Sequence, residues 1–182
     1  MNNFFPNKHL IVTVTNLSQH RVEYLSFENS PDLKVSKAIR MSISIPLIFN
    51  KVIYKGDHYS DGGILSSIPI DYFRNDIENT LILSLESLRY YTDINTLGDY
   101  LLRIWDLGSS TVNDHIIEKY KANTINLIVD LGLLNFEINN SQKKYLYETG
   151  YIQTYKLLKF TKFKHYLEIK TILDNIINSI IE

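Results

Sequence analysis

No cysteine occurs in the 182 residues, which excludes disulfides and thiolate metal sites. No charge of one sign dominates. Nineteen Lys and Arg against twenty Asp and Glu leave a net charge of −1, without the electrostatic footprint of a nucleic-acid binder. No apolar run is long enough to span a bilayer, so any membrane contact is expected to be peripheral. No basic start followed by a long apolar stretch marks a cleaved signal peptide, and the expected location is cytoplasmic or peripheral to a membrane. The five histidines (His9, His20, His58, His115, His165) are scattered. His115 and Glu118 share a helical face at i, i+3, but no second such pair exists. The reading is therefore a solvated face, with no metal or cofactor expected.

What is present is ordinary for a globular protein: 45% apolar and 21% charged residues, in a length that suits one domain over residues 1–182. The most informative stretch runs from Lys34 to Phe73. Val35, Ala38, Ile39 and Ser42 recur at i, i+3, i+4 and i+7, one face of a short helix over 35–43. Pro46 stops that helix. Val52-Ile53-Tyr54 and His58-Tyr59-Ser60 flank Lys55-Gly56-Asp57, the pattern of a β-hairpin with glycine in its turn. The second strand runs into Asp61-Gly62-Gly63. A carboxylate at a strand end followed by two glycines has two readings. One is a base or ligand-binding group at the mouth of a sheet, with glycines that accept positive φ and close approach. The other is an Asx-turn, in which Asp61 bonds its own backbone.

The wider run resembles the patatin-like phospholipases, a family of lipid acyl hydrolases. The likeness is carried by Ala38-Ile39-Arg40-Met41-Ser42-Ile43-Ser44-Ile45-Pro46, then Phe49, Gly56, Tyr59-Ser60-Asp61-Gly62-Gly63 and Pro69. It implies a patatin-like α/β fold, a layered sheet with flanking helices, and a Ser–Asp dyad in which Asp61 is the aspartate. Gly62, Gly63, Ser67 and Pro69 are the motif residues that support it, and Ser67 stands where the family usually has Asn. The family's Gly-x-Ser-x-Gly elbow and earlier Gly-rich oxyanion loop have no counterpart among the seven glycines. The expectation is an incomplete domain, the C-terminal portion of such a hydrolase. It would be inactive alone and act on a lipid ester when an N-terminal partner segment supplies the serine. The alternative is a non-catalytic relative that binds lipid or protein, and self-association is expected of an uncovered sheet.

In chain order, His9–Thr15 reads as a strand buried on both faces and Arg21–Phe27 as its neighbour, joined through Asn16-Leu17-Ser18-Gln19. Pro69 opens a turn or short helix through Phe73, residues 74–79 are loop-like, and Thr80–Leu85 is a strand apolar on both faces. Leu97, Leu101, Ile104, Trp105, Gly108, Val112, Ile116 and Tyr120 predict one long helix, or two broken near Gly108. Gly108-Ser109-Ser110 lies inside that pattern rather than after a strand, and reads as a kink or a close helix approach, not a nucleophile elbow. Thr124–Val129 is a further strand. Ser141 is the expected cap of a helix to about Phe160, with Tyr145, Ile152, Tyr155 and Leu158 inward. A last amphipathic helix is expected over 166–181. Tyr145, Tyr147, Tyr151 and Tyr155 offer either a core with an amphipathic rim or a lipid-facing surface. Lys143, Lys144, Lys156, Lys159, Lys162 and Lys164 read as solvated helix faces.

Overall fold

A computed structural model describes residues 8–91, 93–131 and 137–158; the helix expected over 166–181 lies outside them. The chain divides into two compact units, Met1–Arg74 with Thr92–Ile116, and Asn75–Tyr91 with Ile117–Glu182. The architecture is mixed α/β, as the sequence predicts.

The first unit is built on a four-stranded antiparallel sheet. Its strands are β1 (Val12–Asn16), β2 (Arg21–Leu25), β3 (Val52–Tyr54) and β4 (Asp57–Asp61), in the order β2-β1-β4-β3. β1 alternates: Val12 and Val14 face the core, while Thr13 and Thr15 take the other side. The strand is buried on both faces, as expected, through Val14 on one and Thr15 on the other, but it starts at Val12 rather than His9. Asn16, read as a loop residue, is instead the buried last residue of β1. β2 ends at Leu25, and Phe27, expected in it, is exposed. Helix α1 (Val35–Ser42) packs Ala38 and Met41 on Val14, Leu25 and Tyr59. Of the Val35, Ala38, Ile39 and Ser42 face, Ala38 is buried while Val35 and Ile39 are exposed, so the inward face runs through Ala38 and Met41 instead. α1 ends at Ser42, ahead of Pro46. The β3–β4 hairpin turns on two residues, Lys55 (φ 51°) and Gly56 (φ 88°), the two left-handed positions of a type I′ turn. Asp57, read as part of the turn, opens β4.

The second unit holds a parallel pair, β5 (Ile82–Ser87) and β6 (Thr124–Val129). β5 sits two residues later than expected because Thr80 closes a 3-10 turn at Ile77 and is tied with Ile77 to the Asn123 side chain. Ile82 and Ser84 are buried on one face, but Leu83 and Leu85 on the other are 66% and 55% exposed, so β5 is not covered on both sides among the described residues. The chain between the two strands passes through helix α2 (Leu97–Lys119), which as far as Ile116 belongs to the first unit; it is unbroken at Gly108, around which a Cβ would meet nothing within 4 Å. The kink and close-approach readings therefore fail. Of the residues that set the helical spacing, Leu97, Leu101, Ile104 and Val112 are exposed, while Trp105, Ile116 and Tyr120 are half-buried; Leu102, Ser109 and Asn113 share the more sheltered side with Trp105. Helix α3 (Asn140–Leu158) is capped by Asn139 rather than Ser141: the Asn139 side chain accepts from the Gln142 amide at 2.9 Å, and the Gln142 side chain accepts from the Asn139 amide at 3.0 Å. Thr154 and Leu158 are buried, whereas Tyr145, Ile152 and Tyr155 are exposed. The Gln153 side chain pairs with both the amide and the carbonyl of Ile128, capping part of the edge of β6 as a neighbouring strand would.

Candidate functional site

Asp61 is the last residue of β4, opposite Val14 of the inner strand β1. Three hydrogen bonds fix it. Its amide donates to the Ser44 carbonyl at 3.1 Å, its carbonyl accepts from the Thr15 hydroxyl at 2.8 Å, and its Oδ1 accepts from the Gly63 amide at 2.6 Å. The Asx-turn reading is thus realised, and it orients the carboxylate instead of competing with a chemical role. Among the described residues Gly63 is the sole donor to the carboxylate. No serine hydroxyl described here bonds it: Ser60 donates to the Ser44 carbonyl, Ser66 to the Ile68 carbonyl and Ser67 to the Gly63 carbonyl. Burial pushes the Asp61 carboxyl above the ordinary range of an aspartate, and the Gly63 hydrogen bond draws it partly back.

The two glycines serve by closeness, not by left-handed backbone; among the described residues Gly56 is the one glycine with positive φ. Gly62 is buried in the 3-10 turn Gly62–Ile64, where a Cβ would stand 2.5 Å from the Thr13 carbonyl oxygen. A Cβ on Gly63 would stand 2.8 Å from Asp61 Oδ1. Ser67 is exposed, with its hydroxyl 3.1 Å from the Gly63 carbonyl, so it closes the turn that carries Gly63. Pro69 begins the next turn, its carbonyl accepting from the Tyr72 amide at 3.2 Å. The structure therefore brings Asp61, Gly62, Gly63 and Ser67 into one turn and leaves Pro69 just beyond it.

Residues 2–74 match the family model of the patatin-like phospholipases. The patatin-like resemblance is therefore real. Among curated proteins the chain is similar to Uncharacterized protein R571 of Acanthamoeba polyphaga mimivirus, 32% identical over 154 residues, which is 79% of this chain and 52% of that protein. It is also similar to Probable lipid hydrolase 463L of Invertebrate iridescent virus 6, 26% identical over 67% of this chain and 37% of that protein. The chain thus spans about half the length of the first of these relatives (52%) and less of the second (37%). Among solved structures, VipD from Legionella pneumophila superposes with a TM-score of 0.58 at 23% identity, over 84% of this chain and 31% of that chain, a likeness of fold. The matched residues 2–74 contain α1, the β3–β4 hairpin and the whole Asp61 turn of the patatin-like segment.

The other sequence candidates stay apart from this turn. His115 and Glu118 are exposed on α2, and no group of three or more metal-ligating side chains forms among the described residues. Ser109 and Ser110 donate to backbone carbonyls of their own helix, at Asp106 and Leu107. No helix of the described residues is long and apolar enough to cross a membrane. A polar cluster went unread in the sequence: buried Asn16 donates to Glu23 at 3.0 Å, Asp57 at 2.9 Å and Tyr59 Oη at 3.2 Å. Burial and the Glu23 carboxylate push the Tyr59 phenol up to about 12. Only the pairing of β1 with both neighbours assembles this cluster, so no local pattern announces it.

Proposed function

We propose that this patatin-like segment supplies the acidic member of a Ser–Asp dyad that hydrolyses lipid esters, with Asp61 as the base and the serine and oxyanion donors coming from outside these 182 residues. The observation that carries the reading is the Asp61 turn itself: a half-buried carboxylate, fixed through one oxygen by Gly63, with no donor to its other oxygen among the described residues, inside the segment that matches the family model. A carboxylate is a weak base for a hydroxyl, and burial that raises its proton affinity narrows the gap.

In the proposed reaction the serine oxygen bonds to the ester carbonyl carbon while its proton passes to Asp61. Collapse of the tetrahedral adduct breaks the carbon–oxygen bond of the leaving alcohol, which takes that proton. Water then attacks the acyl-serine, giving its proton to Asp61, and the serine oxygen leaves and recovers it. Donors to the developing oxyanion contribute on the order of a hundredfold or more each. Residues 1–182 alone are therefore expected to hydrolyse aryl esters and phospholipids at background rate. Co-expressed with a segment carrying Gly-x-Ser-x-Gly, they should assemble with it and gain hydrolysis, and Asp61→Asn should remove roughly a hundred- to ten-thousandfold of that rate. Hydrolysis that survives Asp61→Asn would defeat the dyad.

One observation favours a second reading, a non-catalytic relative that binds lipid or protein. Val35 and Ile39 on the outer side of α1 and Ile43 just past its end follow one another at i, i+4, i+8, all exposed, and Leu47 beyond them is 61% exposed in a left-handed backbone conformation (φ 70°). Vesicle co-sedimentation separates the readings. Binding lost in Ile39→Asp and Leu47→Asp, with no hydrolysis in the assembled protein, would favour the binding module.

A further inference from the structure

We propose that Arg40 and Ser44 are positioning residues for Asp61: the Arg40 guanidinium anchors the Ser44 hydroxyl, and the Ser44 carbonyl receives both the Ser60 hydroxyl and the Asp61 amide. The proposal rests on the dyad reading of Asp61, and adds the means by which its carboxylate is kept in place.

The geometry is specific. Arg40 donates from its guanidinium to Ser44 Oγ at 2.6 Å, and that hydroxyl donates back to the Arg40 carbonyl at 2.5 Å. Ser44 is fully buried, so both roles of its hydroxyl are spent on one partner. Its carbonyl is equally committed, with the Ser60 hydroxyl at 2.6 Å and the Asp61 amide at 3.1 Å. The chain of contacts therefore runs from the last turn of α1, through one buried peptide group, to the backbone of the site carboxylate. Arg40 also reaches the Asn50 carbonyl at 3.4 Å and lies over the Phe49 ring at 5.4 Å, so it holds the loop from Ser44 to Asn50 at both ends. A carboxylate that must meet a serine within hydrogen-bond distance loses rate steeply when its backbone shifts by even an ångström. Ser60 completes the device: its side chain, on the face of β4 opposite that of Asp61, makes the adjoining residue a second attachment to the same carbonyl.

Two measurements on the chain itself test this, by NMR: amide hydrogen exchange at Asp61, and the titration of its carboxyl carbon. Arg40→Ala and Ser60→Ala are each expected to speed exchange at the Asp61 amide on the order of tenfold, while β2 amides keep their rates. The carboxyl titration should fall back toward the ordinary aspartate range as water reaches the turn. Arg40→Lys should recover part of both effects, because an ammonium can still donate to Ser44 but cannot span to Asn50 as well. Arg21→Ala, whose guanidinium pairs with Glu23, is the control and should change neither. In the assembled hydrolase Arg40→Ala and Ser60→Ala should lower kcat with little change in KM. Wild-type exchange and titration at Asp61 in folded Arg40→Ala and Ser60→Ala would overturn the positioning role and leave the dyad standing. Hydrolysis unaffected by Asp61→Asn would instead remove the dyad, and the positioning role with it, by a measurement that does not involve Arg40 or Ser44.

Discussion

The two sheets of this protein are covered to different degrees. In the antiparallel sheet β2-β1-β4-β3, α1 packs Ala38 and Met41 on one face, and Val14, Met41, Asn16 and Ser44 are fully buried in the unit. In the parallel pair β5-β6, Ile125 is fully buried while Leu83 and Leu85 face outward. Parallel strands normally have both faces covered, so the open side of β5 is the unusual feature. In the sheet that carries Asp61, side-chain hydrogen bonds from Thr15 and Ser60 converge on the backbone around that carboxylate residue. The β5-β6 pair has its own side-chain ties, through Ser87, Asn123 and Gln153, but none of these three holds a carboxylate at a strand end.

The sharpest contrast should come from a single residue type. Gly62→Val drives a side chain into the Thr13 carbonyl and is expected to destabilise the first unit by about 3 kcal/mol or more. Gly150→Ala, in α3 with open space around it, should stabilise by up to about 1 kcal/mol through helix propensity. Urea unfolding of both variants reads the difference. A tolerated Gly62→Val would mean that the close approach at Asp61 is not a requirement of the fold.

Next in size is a comparison of cores. Met41→Ala should cost roughly 2–5 kcal/mol, whereas Leu83→Ala should stay within about 0.5 kcal/mol. Leu85→Lys should leave the fold intact and reduce self-association in sedimentation, if the open face of β5 is what causes it. Comparable losses from Met41→Ala and Leu83→Ala would show that Leu83 is covered, and the contrast between the two sheets would disappear.

An asparagine in each unit, Asn16 buried and Asn126 half-buried, gives a finer test. Asn16→Ala removes the donor shared by Glu23, Asp57 and Tyr59, and should cost about 2 kcal/mol. Asn126→Ala loses one bond, to Glu86 at 3.2 Å, and should cost about 1 kcal/mol or less. Asp57 is accordingly no inert turn residue, since Asn16 and Gln19 both donate to it.

These contrasts also mark what could be read in advance. β6 matches its expected bounds because a short run with four β-branched residues in six has no competing period. The β3–β4 hairpin and the place of Asp61 at a strand end were legible from turn chemistry alone. The sheltered side of α2 was not. Apolar residues occur on several sides of that helix, at Leu97, Tyr100, Leu101, Ile104, Trp105, Leu107 and Val112, and spacing fixes the period without fixing the direction. Of the two uses that the glycine pair suggests, close approach is the one Gly62 realises, but its neighbour, Thr13, lies far away in sequence and meets it only when β1 pairs with β4. Arg40 and Ser44 were visible as parts of a motif, but their bonds to each other and to Asp61 depend on how the loop after α1 returns to β4.

The smallest expected effect on stability is, like that of Gly150→Ala, a gain. Burial raises the Asp61 carboxyl above its unfolded value, so between the two values the folded chain binds more protons than the unfolded one. Stability therefore falls as pH rises through that window, and at neutral pH the ionised carboxylate is a net liability to the fold. Asp61→Asn keeps the shape and an oxygen for the Gly63 amide, and removes the charge. It should raise the melting temperature slightly at pH 7, and the difference should vanish once the pH is below the ordinary aspartate range. Gly62→Val, by contrast, should lower stability at every pH. If Asp61→Asn lowers the melting temperature at pH 7, the carboxylate is a structural anchor like Asn16, and the Asx-turn alone accounts for its place. If it raises stability while abolishing hydrolysis in the assembled protein, the fold is holding a charge at a cost for the sake of chemistry, which a purely structural turn residue has no reason to do.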